Sequence, residues 1–191
     1  MSKLTQYLDM LERWNRSFNL SAKNAGRAEL AAFCALGESV ASFIASLPMP
    51  DDPLIWDLGS GAGLPGIPLR LRYPPGEYWL VESRSKRALF LSNVLARLQL
   101  ARTYVFRGRA EDFAAAATAP PDLILSQAFM PWPRLLPLVR PWLPEQGFLL
   151  VLSSEAPPDK SRIAGFALHS SVCQPFGKRE RHVWALQRTE A

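Results

Sequence analysis

The sequence predicts an α/β domain of the Rossmann-like kind, a mostly parallel seven-stranded sheet with an antiparallel hairpin at its end. Three observations predict it. Short apolar runs alternate with stretches of helical character, a glycine-rich turn directly follows the first run, and an acidic residue ends the second. Alternation of this sort gives a parallel sheet with helices on both faces.

Residues 4–16 place Leu4, Tyr7, Leu8, Leu11 and Trp14 at helical spacing, and residues 28–47 are a second long stretch of helix formers. These first fifty residues are expected to form a helical cap of the same domain. Pro48, Pro50 and Pro53, with Asp51-Asp52, break the pattern before Leu54-Ile55-Trp56, so residues 51–191 are read as the main body. Further strands are expected at 78–81, 103–106, 123–125 and 148–152, with helices at 86–98 and 132–142 between them. Near the end, 167–172 and 182–186 read as two strands joined by a loop over 174–179.

The composition, 48% hydrophobic and 20% charged, is that of an ordinary globular chain. No run is expected to reach the roughly 18 apolar residues that span a bilayer, and the first residues lack a signal-peptide core, so a cytoplasmic protein without a membrane partner is expected. Cys34, Cys173, His169 and His182 have no metal-motif spacing, so no metal is expected. The net charge of +5 suits a polyanionic partner without requiring one.

The chemistry is concentrated in Asp57-Leu58-Gly59-Ser60-Gly61-Ala62-Gly63-Leu64-Pro65-Gly66. Glycines at alternate positions let the backbone turn tightly and approach a ligand, and the following helix is expected to start near Leu64. Glu82 ends the next strand roughly 25 residues past Asp57, where this fold places the carboxylate that accepts ribose hydroxyls. Dinucleotides and S-adenosylmethionine both use that arrangement. The dinucleotide fingerprint G-x-G-x-x-G would need a third glycine at Leu64, whereas here it falls at Gly63, which suits adenosylmethionine better than a nicotinamide cofactor.

The same string resembles the cofactor loop of the bacterial small-subunit rRNA guanosine-N7 methyltransferases, the glucose-inhibited division protein B family. Three further segments resemble that family in order and spacing: Trp14-Asn15 with Asn19-Leu20-Ser21, Glu82-Ser83-Arg84-Ser85-Lys86-Arg87 with Phe90-Leu91, and Arg109-Ala110-Glu111. The resemblance implies a class I methyltransferase fold, adenosylmethionine as donor, and a guanine N7 in 16S rRNA of the small subunit as acceptor. It implies cofactor contacts at Gly59, Gly61, Gly63, Leu64, Glu82, Ala110, Glu111 and Gln127. Glu111 reads equally as a capping acid, and Leu64 and Ala110 as packing residues.

Guanine N7 carries a free lone pair, so attack on the methyl group demands no general base, and no catalytic residue is assigned. Arg84, Lys86 and Arg87, and Lys178, Arg179 and Arg181, are candidate RNA contacts or simply solvated charges. Phe129, Trp132 and Trp142 read as core or as stacking surfaces for a base. A monomer is expected.

This chain departs from the family pattern on the acceptor side. Ala32-Phe33 and Leu36-Gly37 stand where the family has Arg-His and Asp-Ser, Gln127 stands for an arginine, and Ser153-Ser154 for Lys-Gly. These changes leave open a weakened or retargeted paralogue that binds adenosylmethionine or RNA.

Overall fold

The computed structural model describes residues 1–18, 20, 27–158, 163 and 165–189. Asn19 and Ser21, named above for the amino-terminal resemblance, lie outside the described residues. Six helices and seven strands are present among the described residues. In chain order they are α1 (Lys3–Phe18), α2 (Arg27–Ala45), β1 (Leu54–Leu58), α3 (Gly66–Arg72), β2 (Glu77–Glu82), α4 (Ser85–Leu98), β3 (Thr103–Arg107), α5 (Ala110–Ala116), β4 (Leu123–Gln127), α6 (Trp132–Val139), β5 (Phe148–Ser153), β6 (Phe166–Phe176) and β7 (Arg179–Arg188).

The strands form one sheet in the order β3-β2-β1-β4-β5-β7-β6. The five from β3 to β5 are parallel, and β7 runs antiparallel to both β5 and β6. Side-chain alternation splits the core into two layers. Ile55, Tyr78, Leu80, Leu125 and Leu150 join the layer under α1, α2 and α4, while Trp56, Val81, Ile124 and Val151 join the one under α5 and α6. From β1 the chain steps outward to β2 and β3 and then crosses back to β4 on the other side of β1, so the ends of β1 and β4 frame the crevice where open α/β sheets bind ligands.

Several expectations need correction. The first strand continues through Asp57 and Leu58, and the helix after the glycine turn begins at Gly66, within two residues of the expected start. The helix expected over 132–142 ends at Val139. The terminal hairpin is longer than its apolar runs, because toward its turn only one of its faces is covered. Phe166–Phe176 and Arg179–Arg188 are both strands, and the turn shrinks to Gly177 and Lys178, so Arg179 and Arg181 are strand residues rather than loop cations. Finally, the Ala28–Ala45 stretch is long and apolar enough by composition to cross a bilayer. In the fold Leu30, Leu36, Val40, Ala41 and Ile44 of this helix are buried in the core. Its close approach to α3 is made at Gly37, where a Cβ would lie 2.7 Å from the Pro68 Cβ.

Two polar side chains pin this frame. The Arg70 guanidinium, buried at the end of α3, donates to the carbonyls of Tyr73, Pro75, Gly76, Ala101 and Arg102 and to the Thr103 hydroxyl, joining the entries of β2 and β3. On α1, the Tyr7 hydroxyl donates to the Ala62 carbonyl at 2.8 Å, so the cap helix holds the glycine loop.

Candidate cofactor and acceptor site

The glycine loop hangs from the end of β2. The Gly59 and Ser60 amides donate to the Val81 carbonyl at 2.9 and 3.1 Å, and the Gly61 amide donates to Glu82 Oε2 at 2.9 Å. The other carboxylate oxygen of Glu82 accepts the Arg84 amide at 2.7 Å. Each oxygen therefore keeps a lone pair for another donor. Glu82 is 4% exposed, so a ligand hydroxyl arriving there would meet a desolvated acceptor. Gly59, Gly61 and Gly63 all have positive φ, which a residue with a Cβ adopts only under strain.

Beneath the loop lies Asp57, buried and accepting the Tyr78 hydroxyl on Oδ2 at 3.2 Å. A Cβ at Gly66 would lie 2.2 Å from that same oxygen, so α3 can start here only with glycine. Burial pushes the Asp57 carboxyl up to about 7, against the Tyr78 hydrogen bond that lowers it and with the Glu82 charge adding to the rise.

The expected site residues divide into groups. Gly59, Gly61 and Glu82 converge on one small region, and the Arg87 guanidinium lies 3.8 Å from where a Gly61 Cβ would stand. Gly63 faces inward, its Cβ position 2.6 Å from Ile67 Cγ1, and Leu64 is half-buried against the core. Ala110 is buried at the start of α5, and just past the end of β3 the Gly108 amide donates to the Glu82 carbonyl. Glu111 is exposed in the first turn of α5, where its own backbone amide holds its carboxyl below the usual range, assisted by Arg109 at 3.3 Å. It caps the helix.

Across the crevice, an open cavity of about 480 Å³ lies at the ends of β4 and β5, lined by Gln127, Met130, Trp132, Ser153, Ser154 and Arg181 among others. Two of the departures from the family pattern, Gln127 and Ser153-Ser154, thus meet in one place. The other two do not. Leu36 is buried, and Phe33 packs edge-on against Phe176 at 4.6 Å, so these changes extend the core between α2 and the hairpin.

The aromatics after β4 have mixed roles. Phe129 lies against Gly59, Trp132 packs on Trp184 at 6.0 Å while lining the cavity, and Trp142 packs on Trp56 at 6.4 Å. Among the cations, Arg84 and Lys86 are exposed at the start of α4, and Lys86 Nζ lies 5.3 Å from the Phe18 ring centroid. Lys178 and Arg179 are exposed at the hairpin tip, whereas Arg181 lies over Phe176 and reaches the cavity. Sequence reasoning missed the Tyr7 tether and the Phe129–Gly59 contact. Tyr7 fits a helical apolar stripe, and nothing in that stripe reveals where its hydroxyl ends.

The fold is that of class I methyltransferases. Solved structures similar to this chain include MtNAS in complex with MTA and tNA, at a TM-score of 0.69 and 15% identity, covering 98% of this chain and 71% of that one. Another is the C-terminal domain of precorrin-6Y C5,15-methyltransferase from Rhodobacter capsulatus, at a TM-score of 0.55 and 17% identity, covering 78% and 89%. Together with the family match that follows, this fold defines an adenosylmethionine-dependent methyltransferase.

Residues 1–176 match the family described as rRNA small subunit methyltransferase G, or GidB, and the chain belongs to that family. Among its relatives, ribosomal RNA small subunit methyltransferase G of Lawsonia intracellularis is 44% identical, over 82% of this chain and 73% of that protein. The protein of the same name from Nitratidesulfovibrio vulgaris is 40% identical, over 98% and 85%.

Proposed function

We propose that this protein transfers the methyl group of adenosylmethionine to N7 of a guanosine in the 16S rRNA of the small ribosomal subunit, acting as a monomer in the cytoplasm. The observation that carries this reading is the pairing of the Glu82-braced glycine loop with an open, cation-bearing cavity across the β1/β4 crevice. Family membership supplies the class of acceptor.

Glu82 holds the ribose through the lone pairs left free by Gly61 and Arg84, and the backbone at Gly59 and Gly61 follows the amino-acid portion. Ala110 and Glu111 bound the adenine side. Leu64 and Gly63 keep the loop packed on α3 and α4 rather than touching the nucleoside. The bound cofactor supplies an electrophilic methyl group on a positively charged sulfur.

Gln127, Trp132 and Arg181 hold the acceptor guanine in the cavity. As the N7 lone pair forms the new N–C bond, the S–C bond breaks and its electrons stay on sulfur. No proton has to leave N7, so these residues align rather than deprotonate, and alignment is worth about 7–11 kcal/mol in favourable cases. A flipped or single-stranded guanine fits an open cavity with one large aromatic ring on its wall.

The test is methyl transfer in vitro. Small subunits lacking the modification, incubated with protein and labelled adenosylmethionine, should gain 7-methylguanosine at one position of 16S rRNA, mapped by mass spectrometry of nuclease fragments. Label on another atom or another RNA would retarget the enzyme, and cofactor binding without transfer would favour the paralogue reading; either overturns the proposal.

A further inference from the structure

We propose that Cys173, Glu180 and His182 form a binding site for a thiophilic divalent cation, Zn2+ foremost, on the uncovered face of the C-terminal hairpin. Cys173 stands directly across from His182 in the β6/β7 register, and Glu180 is two residues from His182 on the same face. The Cys173 sulfur, a Glu180 oxygen and a His182 ring nitrogen all lie within 4.8 Å of one another. Ligand atoms around a tetrahedral zinc ion, with bonds of about 2.0–2.3 Å, are separated by about 3.5 Å. Small side-chain rotations close the site.

The backbone explains why a clip is useful here. Strand β5 accompanies β7 only as far as the Ser153–His182 pair, whereas β6 and β7 continue together through Gln174–Arg181, Pro175–Glu180 and Phe176–Arg179. Beyond β5 the hairpin is therefore a two-stranded ribbon, a marginal structure in water. One face is covered, since Phe176, Val172 and Val183 join the core layer beneath α2. The opposite face carries the three candidate ligands where the ribbon leaves the sheet.

The donor set suits zinc. Thiolate, imidazole and carboxylate are its three common protein ligands, and three of them leave a fourth position for water. Binding displaces the thiol proton of Cys173 to solvent. The thiolate and carboxylate charges then balance the ion, while the imidazole stays neutral.

Nearby cations do not oppose the ion. Alternation sends Arg179 and Arg181 to the α2 face, where Arg181 lies 5.0 Å from the Phe176 ring centroid. Because Arg181 also lines the cavity at the ends of β4 and β5, a metal at its back would fix the strand that carries it. The cation site itself does not depend on the methyl-transfer reading. Sequence spacing hides it, since only the hairpin register brings Cys173 to His182.

Full-length protein stripped with chelator and titrated with ZnCl2 by calorimetry should bind one equivalent in the micromolar range or tighter, with release of about one proton and a raised Tm. Co2+ in place of Zn2+ should give a thiolate-to-cobalt charge-transfer band in the unsubstituted chain, a readout that needs no variant to fold. Cys173→Ser and His182→Ala should each weaken binding at least tenfold and Cys173→Ser should abolish the band. Absence of stoichiometric binding, absence of the band, or binding unchanged in both variants would overturn the proposal.

Discussion

Glu82 Oε2 accepts the Gly61 amide at 2.9 Å, so the carboxylate proposed to hold the ribose also holds the loop in shape. Cofactor affinity and loop order are thereby coupled. Glu82→Gln places an amide where both the Gly61 and Arg84 amides need acceptors, and only its single oxygen can serve. The expected result is adenosylmethionine binding weakened by tenfold or more in a calorimetric titration, with Glu82→Ala weaker still. Unchanged affinity in both variants would remove Glu82 from the cofactor site.

Asp57 sets a pH dependence of stability. The folded protein keeps this proton up to about 7, whereas an ordinary aspartate loses it near 3.8. Between those values the folded state binds more protons than the unfolded chain, so this group's contribution to stability falls as pH rises from about 4 to 7, and its full cost is present above that window. Asp57→Asn keeps an acceptor for Tyr78 and has no charge to bury. Its Tm relative to the unsubstituted protein should therefore rise between pH 5 and pH 8, as followed by thermal denaturation.

Arg70 is a test of the frame rather than of the site. Its six acceptors lie just past the C-terminal end of α3 and at the entries of β2 and β3, away from the glycine loop. Arg70→Met leaves buried carbonyls without a donor, and a loss of about 3 kcal/mol or more in urea unfolding is expected. Arg70→Lys should recover little, because one ammonium cannot span the same acceptors.

The strands along the chain, the glycine loop and Glu82 were legible in the sequence because each is a local pattern: an apolar run, a spacing, an acid at a run's end. What was not legible depends on partners distant in the chain. The residue types of α2 are those of a membrane span, and only its packing against α3 and β6 shows it to be a core helix. The hairpin looked short because residues 173–182 alternate between a covered and a bare face, and polar side chains on the bare face read as loop. Gly63 read as a ligand contact from its spacing, although its position against Ile67 and Leu91 gives it a packing task. Similarly, Gln127 and Ser153 stood as separate departures until parallel β4 and β5 brought them to one cavity.

Arg84 and Lys86 are exposed beside the loop and are proposed to contact phosphate. Replacing both with Gln should weaken RNA binding across sequences and lower the slope of log K against log salt by about 0.7–0.9 for each phosphate no longer neutralised. Filter binding at several salt concentrations measures this. An unchanged slope would make these residues solvated surface charges.

The most direct measurement compares 16S rRNA from cells with and without this protein by mass spectrometry of nuclease fragments. The proposed function predicts one guanosine that carries an N7 methyl group in the first sample and is unmethylated in the second, restored by the unsubstituted gene and not by the Glu82→Ala variant. Identical 7-methylguanosine in both samples would contradict it.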